Sequence, residues 1–104
     1  MPRALELYTG ACNAGDAVAC RNVGRVSEPN GSSPDADRSD AAYRRALQLS
    51  TEACGHGSCQ GCATAGYMYE DGKGAPSDAV RGRDLISQAC KLGCSWACKP
   101  RKMD

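Results

Sequence analysis

The chain has 104 residues, a formal net charge of +1 and eight cysteines, and its length fits a single domain spanning residues 1–104. Positive and negative side chains are interspersed, which argues against nucleic-acid binding and membrane-surface attachment, because both usually need a concentrated basic patch. No apolar run approaches the roughly 20 residues of a membrane span, and small alanine and glycine residues dominate, so covalent cross-links are expected to supply part of the stability.

The first predicted helix begins near Pro2 and ends before Gly15. Apolar residues at spacings of three and four form its buried stripe: Ala4, Leu7, Tyr8, Ala11 and Cys12. Glycine tolerates the left-handed conformation that ends many helices, so Gly15 is a stop signal. A second helix is predicted through "DAVACRNVGRV", and the two helices together form a hairpin.

A longer connection precedes the second hairpin. In "RVSEPNGSSPDADRSDAAY" the turn residues 29–31 are followed by residues 33–35, which can begin a long helix. Its partner helix runs through "SCQGCATAGYMYEDG". The third hairpin follows a short Gly-Pro turn with Ser77 or Asp78 as the N-cap, and Pro100 is expected to end its second helix almost at once.

The three hairpins share a repeated pattern. Three segments align without gaps: "ALELYTGACNAGDAVAC" (4–20), "ALQLSTEACGHGSCQGC" (46–62) and "GRDLISQACKLGCSWAC" (82–98). In each, a glycine lies three residues after the first cysteine and a second cysteine lies eight residues after it. Starts 42 and 36 residues apart are typical of two-helix repeats. The sequence therefore predicts an all-α fold of about two and a half helix-turn-helix units, at approximately 2–34, 35–76 and 77–104.

Geometry constrains the paired cysteines of each unit. Residues eight apart in a continuous helix are about 12 Å apart, whereas a disulfide needs Cα atoms within about 4.4 to 6.8 Å. Either the pairs are not bonded or the helix reverses between them, and the shared glycine favours reversal. The expected bridges are Cys12–Cys20, Cys54–Cys62 and Cys90–Cys98. Gly24 and Gly66, each four residues after the second cysteine, indicate a further close contact between helices.

These residues resemble the Sel1-like repeat family, a relative of the tetratricopeptide repeats. The best match is "AGYMYEDGKGAPSDAVRGRDLISQACKLGCSWAC", and the paired cysteines resemble the disulfide-rich branch of that family. The chain departs from the family pattern in its long first connection, at Gly82 and Arg83, and in a missing terminal unit. The resemblance implies a right-handed α/α superhelix, a solenoid whose concave face binds partner proteins. Some cysteine-rich members are described as β-lactam-binding and a mitochondrial relative as haem-binding, without a residue motif that transfers to this chain.

Cys59 and Cys94 are left over from the three pairs. Both lie at hairpin tips of adjacent units, which are within about 10 Å of each other in a stacked array. Three interpretations stay open: a fourth disulfide, two free thiols, or a zinc site formed together with Cys62 and Cys90, with or without His56 as a further ligand. The zinc site would break two repeated bridges, and a lone loop histidine is usually only solvated. The haem-attachment motif C-x-x-C-H is absent, and we predict no metal ligand and no cofactor.

A polar pattern recurs on the first helix of each unit. An arginine stands nine residues before the first cysteine, followed at steps of three by an acidic or amide residue and a hydroxyl residue. The three sets are Arg3, Glu6 and Thr9; Arg45, Gln48 and Thr51; and Arg81, Asp84 and Ser87. They share one helix side, away from the apolar stripe. The pattern is typical of a solvated face; alternatively, it forms a partner-binding face on the concave groove, where arginines bond carboxylates or backbone carbonyls.

The motifs do not indicate an enzyme, because the sequence has no serine nucleophile elbow, HExxH motif or phosphate loop. We expect a non-enzymatic, disulfide-stapled repeat module that mediates protein–protein interaction as an adaptor or assembly factor, with a protein or peptide segment in its concave groove. The alternatives are a metal- or haem-handling assembly factor and a β-lactam-binding or weakly β-lactamase-like protein. The cysteines point to an oxidising compartment (periplasmic, secreted, or the mitochondrial intermembrane space), although no signal peptide is visible in this chain.

Overall fold

The computed structural model describes residues 2–99, except the side chains of Pro2 and Arg3. The described residues form five α-helices and one short 3-10 helix and contain no strand, which confirms the predicted all-α class. The α-helices are α1 (Pro2–Asn13), α2 (Ala17–Val26), α3 (Ala36–Gly55), α4 (Cys59–Asp71) and α5 (Ala79–Lys91), and the 3-10 helix is Ser95–Cys98. The effect expected of Pro100 lies outside the described residues.

Capping side chains fix the starts of four helices, because they satisfy backbone N–H groups that a helix leaves without partners. The caps are Asp16, Asp35, Ser58 and Asp78, and each accepts a hydrogen bond of 3.0 to 3.1 Å from the N–H three residues further on. Asp35 confirms the helix start predicted in the long connection. Of the two caps predicted for α5, Asp78 is the correct one, and Ser77 instead donates its hydroxyl to a carbonyl oxygen near the end of α4.

Consecutive helices pack against each other along the chain, from α1 through to the 3-10 helix. Within each hairpin the reversal contains a glycine with positive φ: Gly15 at 99°, Gly57 at 92° and Gly93 at 118°. This conformation favours glycine because it has no Cβ atom. The reversals bring the cysteines of each pair to Cα–Cα distances of 4.5, 4.5 and 4.7 Å. The resulting disulfides are those that the repeated spacing predicts: Cys12–Cys20, Cys54–Cys62 and Cys90–Cys98.

Sulfur atoms fill much of a core that is otherwise built from small side chains. The buried cluster among α1, α2, α3 and α4 includes Cys12, Cys20, Val23, Tyr43, Ala46, Leu47 and Met68. The cluster towards α5 and the 3-10 helix consists of Cys54, Cys62, Ala63, Ala89, Cys94 and Ala97. The disulfides therefore act both as cross-links and as packing material.

One predicted core position is wrong. Leu7 is 66% exposed, whereas Leu5 and Tyr8 pack against the buried cluster. Leu5, Tyr8 and Cys12 follow one another at spacings of three and four and so form a single face of α1. Because that face meets the cluster, Leu7 lies outside it.

The close helix contacts predicted at Gly24 and Gly66 are confirmed. A Cβ atom on Gly24 would lie 2.8 Å from the ring of Tyr43, and one on Gly66 would lie 2.7 Å from the carbonyl oxygen of Gly82 on α5. Both distances are below 3.0 Å, which is closer than a Cβ atom approaches a neighbouring carbon or oxygen atom in a packed interior. Helices α4 and α5 therefore approach backbone to backbone.

Candidate functional site

Two cavities lie between α2 and α4, and α3 contributes residues to both; we call the surface that contains them the α2/α4 groove. On α3, Tyr43 lines one cavity of the groove and Ser50 lines another, and these residues are seven apart, so they lie on one face of the helix. The cavity beside Tyr43, the C-terminal cavity, has a volume of about 480 Å³. The cavity beside Ser50, the N-terminal cavity, has about 250 Å³ and lies between the first turns of α2 and α4.

Charged and aromatic side chains line the C-terminal cavity. Helix α2 contributes two arginines, α4 contributes an aromatic ring, a thioether and a carboxylate, and the adjoining loops contribute one charge each. The lining residues are Arg21, Arg25, Glu28, Tyr43, Tyr67, Met68, Asp71 and Lys73. The cavity therefore combines three cations and two carboxylates with an apolar wall.

A partly buried hydrogen-bond network closes one side of this cavity. Glu28 Oε2 accepts hydrogen bonds of 2.6 Å from the Tyr43 hydroxyl and 2.6 Å from Lys73 Nζ. The Lys73 ammonium also lies 5.3 Å from the centroid of the Tyr43 ring, within cation–π range. The contact ties the loop after α2 to the loop after α4, 45 residues further along the chain. The network thus holds the two walls of the groove at a fixed separation.

The network lowers the pKa of Glu28 and raises the pKa of Tyr43. Hydrogen bonds from Lys73 and then from Tyr43 lower the pKa of Glu28 below its ordinary value of 4.5. Burial, and then the hydrogen bond to Glu28, raise the pKa of Tyr43 well above its ordinary value. The folded state therefore favours the ionised carboxylate and the neutral phenol.

Replacing Glu28 by Gln is expected to lower the free energy of unfolding at pH 7 by about 1 to 2 kcal/mol, because the acceptor of both hydrogen bonds loses its negative charge. A lowered folded-state pKa contributes stability above pH 4.5 that is lost as the pH falls through the folded-state pKa. Thermal unfolding between pH 7 and pH 2.5 should therefore show wild type and Glu28→Gln converging in acid. Glu52→Gln, at an exposed carboxylate, is the control and should follow wild type. A constant gap between Glu28→Gln and wild type at every pH would contradict the expectation.

Two buried polar atoms in the described part of the chain have no hydrogen-bond partner, and both belong to residues that line the groove. They are Nε of Arg21, at the C-terminal cavity, and Oγ of Ser50, at the N-terminal cavity. Neither Arg21 nor Arg25 takes part in an ion pair within residues 2–99. Leaving a buried donor unsatisfied costs about 1 to 3 kcal/mol, so the groove carries unused hydrogen-bonding capacity.

The two left-over cysteines form a fourth disulfide. Cys59 at the start of α4 is bonded to Cys94, with a Cα–Cα distance of 5.6 Å, and no free cysteine remains among the described residues. Of the three interpretations, the bridge is therefore the one that the structure contains. The four cysteines of the zinc alternative are distributed over three disulfides, and His56 is an exposed residue at the end of α3.

The polar pattern of the first helices does not line either cavity. Its described members Glu6, Arg45, Gln48, Arg81 and Asp84 are all exposed, and the side chain of Arg3 lies outside the described residues. The Arg81 guanidinium lies 4.9 Å from the centroid of the Tyr69 ring, and the other four side chains have no such ring contact in the described range.

The groove residues escaped the sequence interpretation because they differ between the units. In the alignment, Arg21 corresponds to Ala63 and Arg25 to Tyr67. A comparison that looks for residues common to the units therefore does not identify Arg21 or Arg25. The available signal was local: two arginines four apart in "CRNVGR" lie on one helix side. Glu28 and Lys73 are brought together only by the packing of α2 and α4 on α3.

The part of the chain that the structure describes contains no helix long and apolar enough to cross a bilayer, and no cluster of three or more potential metal ligands occurs within residues 2–99. No protein-family model, curated protein or solved structure matches the chain.

Proposed function

We propose that the protein is a non-enzymatic, disulfide-stapled helical module that binds a peptide segment of a partner protein in the α2/α4 groove. The observation that carries the proposal is the location of the two unsatisfied buried polar atoms, Arg21 Nε and Ser50 Oγ, at the two cavities of this groove. A polar segment lying along α3 would offer hydrogen-bond partners to both atoms. The stability lost by leaving them unpaired would then be recovered on binding.

The groove also has the construction expected of a preorganised site. Both walls are anchored to α3, the Glu28–Lys73 contact joins their C-terminal ends, and disulfides clamp the N-terminal ends of α2 and α4. A rigid groove loses little conformational entropy when a segment binds. These features support a scaffold that presents a fixed binding surface, as an adaptor or assembly factor requires.

The proposal includes a Sel1-like architecture. The three aligned segments and the observed order of helical hairpins support units at 2–34, 35–76 and 77–104 arranged as a right-handed superhelix. In such an arrangement the exposed row of Arg45 and Arg81 would form a second surface, the concave one. Four disulfides are compatible with an oxidising compartment, and we place the protein in the periplasm, outside the cell or in the mitochondrial intermembrane space.

Selection of a random peptide-display library against the oxidised protein is expected to enrich groove-binding peptides. Arg25→Ala should weaken the enriched peptides about tenfold by calorimetry, because it removes an exposed charge from the wall of the cavity. Arg83→Ala removes an exposed arginine of α5 outside the groove and is the matched control, with unchanged affinity.

Three outcomes would contradict the proposal in different ways. Enrichment of no peptide would remove the interaction function itself. Loss of affinity in Arg45→Ala and Arg81→Ala, with Arg25→Ala unchanged, would move the binding surface to the predicted concave face. Bound zinc, a Soret band or turnover of nitrocefin would favour the metal- or haem-handling or the β-lactam alternative.

A further inference from the structure

Positive charge is concentrated on the α2 wall of the C-terminal cavity. Arg21 and Arg25 lie four residues apart on one side of α2, and no ion pair within residues 2–99 involves either guanidinium. The two carboxylates of the cavity are already engaged, Glu28 by Lys73 and Tyr43, and Asp71 by a contact of its own. As far as the described residues are concerned, the arginine pair therefore has capacity left for a bound acid.

The buried Nε atom of Arg21 indicates which edge of its guanidinium group would bind the acid. A guanidinium recognises a planar acid with its fork of parallel N–H groups, and Nε–H is one edge of the fork. In Arg21 this nitrogen is buried and has no hydrogen-bond acceptor among residues 2–99. A bound acid that accepts from Nε would therefore do so away from bulk water, where a charge-assisted hydrogen bond is strongest.

The remaining lining indicates which acid fits. Glu28 and Asp71 line the same cavity, so a dianionic phosphate would meet more repulsion than a carboxylate with a single charge. A volume of about 480 Å³ exceeds the needs of a carboxylate alone. Tyr67 supplies an aromatic surface beside the arginines, and an aromatic ring contacts apolar or aromatic groups favourably.

We infer that the C-terminal cavity is a carboxylate site, in which Arg21 and Arg25 hold the acid and Tyr67 contacts the apolar group attached to it. The inference rests on the proposed function, since it names the chemical group of the peptide that the groove recognises. That group is either a C-terminal carboxylate beside an apolar residue or the side chain of Asp or Glu beside one.

The site is tested directly by titrating the oxidised, 15N-labelled protein with phenylacetate and observing the arginine Nε–H signals by NMR. We expect a saturable shift of the Arg21 signal with a Kd on the order of 1 mM, while the signal of Arg83 stays unchanged. Phenylacetamide, the neutral isostere, should leave both signals in place. Equal responses to the two compounds, or no shift of the Arg21 signal because water satisfies its Nε, would overturn the inference.

Substitution of Arg21 by Met gives a second readout. Because it replaces an unsatisfied buried polar atom by an apolar side chain, the melting temperature should be equal to or above that of wild type, while phenylacetate binding weakens about tenfold or more. Arg83→Met is the control with unchanged binding. Arg25→Gln, at an exposed position, gives the same test where Arg21→Met is poorly folded. Binding that survives in both variants would overturn the inference.

Enriched peptides separate the two sources of the carboxylate and separate this inference from the proposed function. Amidation of the C-terminus abolishes binding if the terminal carboxylate is recognised, and replacing Glu by Gln or Asp by Asn abolishes it if a side chain is recognised. Peptides that bind the groove equally well after both changes would leave the proposed function standing and overturn the carboxylate site. If phenylacetate binds but no peptide is enriched, the carboxylate site would stand and the proposed function would be overturned.

Discussion

Reduction of all four disulfides is expected to unfold the protein at 25 °C and to remove most of its helical circular-dichroism signal. Three of the bridges close loops with a sequence separation of 8, and each contributes about 2.5 kcal/mol in the chain-entropy model. The bridge between Cys59 and Cys94 spans 35 residues and contributes about 4 kcal/mol. Together these contributions are comparable to the whole stability of a small domain, about 5 to 15 kcal/mol.

Removal of single bridges separates the entropic contribution from the packing contribution. The pairs Cys54–Cys62 and Cys90–Cys98 have the same separation and hence the same loop entropy. They differ in burial, since Cys62 is completely buried and Cys98 is exposed. Replacing the first pair by alanine should therefore lower the free energy of unfolding by about 1 to 2 kcal/mol more than replacing the second.

Urea denaturation of the double variants, with the other three bridges kept oxidised, measures this difference. Equal losses for the two pairs would show that the sulfur atoms contribute little packing. A fully reduced wild-type protein that keeps its helical signal and its cooperative transition would overturn the larger expectation. In that case the alanine-rich core would be sufficient by itself.

The features that could be predicted from the sequence are those that recur in every hairpin. Every unit needs a chain reversal, a small residue where two helices meet, and a helix N-cap. Glycines, cysteines and Asp78 meet these needs and occur at recognisable spacings. The predicted stripe of α1 was wrong at Leu7, because Leu5 and Leu7 both fit an apolar stripe and only the packing against the core selects Leu5. The local sequence pattern by itself does not distinguish Leu5 from Leu7.

The sequence left the bond between Cys59 and Cys94 as one of three interpretations and did not predict the α2/α4 groove, for a related reason. Cys59 and Cys94 belong to different hairpins, so their distance depends on how α4 packs on α5 and not on any spacing in the chain. The groove residues occur once and are not repeated: Arg25 and its counterpart Tyr67 face the same cavity from opposite walls. The residues that repeat between the units build the helical scaffold, and the residues that differ between the units line the groove.

Replacing Gly66 by Ala is expected to destabilise the protein by about 2 kcal/mol. The new Cβ atom would lie 2.7 Å from the carbonyl oxygen of Gly82 and 2.7 Å from Cγ1 of Ile86. The carbonyl belongs to the backbone of α5 and cannot rotate away as a flexible side chain would, so α4 and α5 must separate. Overpacking of this kind typically costs about 1 to 3 kcal/mol and outweighs the gain of up to about 1 kcal/mol that alanine brings to a helix interior.

Gly10→Ala is the matched control, because Gly10 lies within α1 with no heavy atom within 4 Å of its Cβ position. There only the helix propensity acts, so the substitution should raise the free energy of unfolding by up to about 1 kcal/mol. The two variants therefore change stability in opposite directions for the same change of residue, as measured by urea denaturation of the oxidised proteins. A Gly66→Ala variant as stable as wild type would mean that α4 and α5 are not in backbone contact. The position of α4, and with it one wall of the groove, would then have to be set by the disulfides and not by the packing of helices.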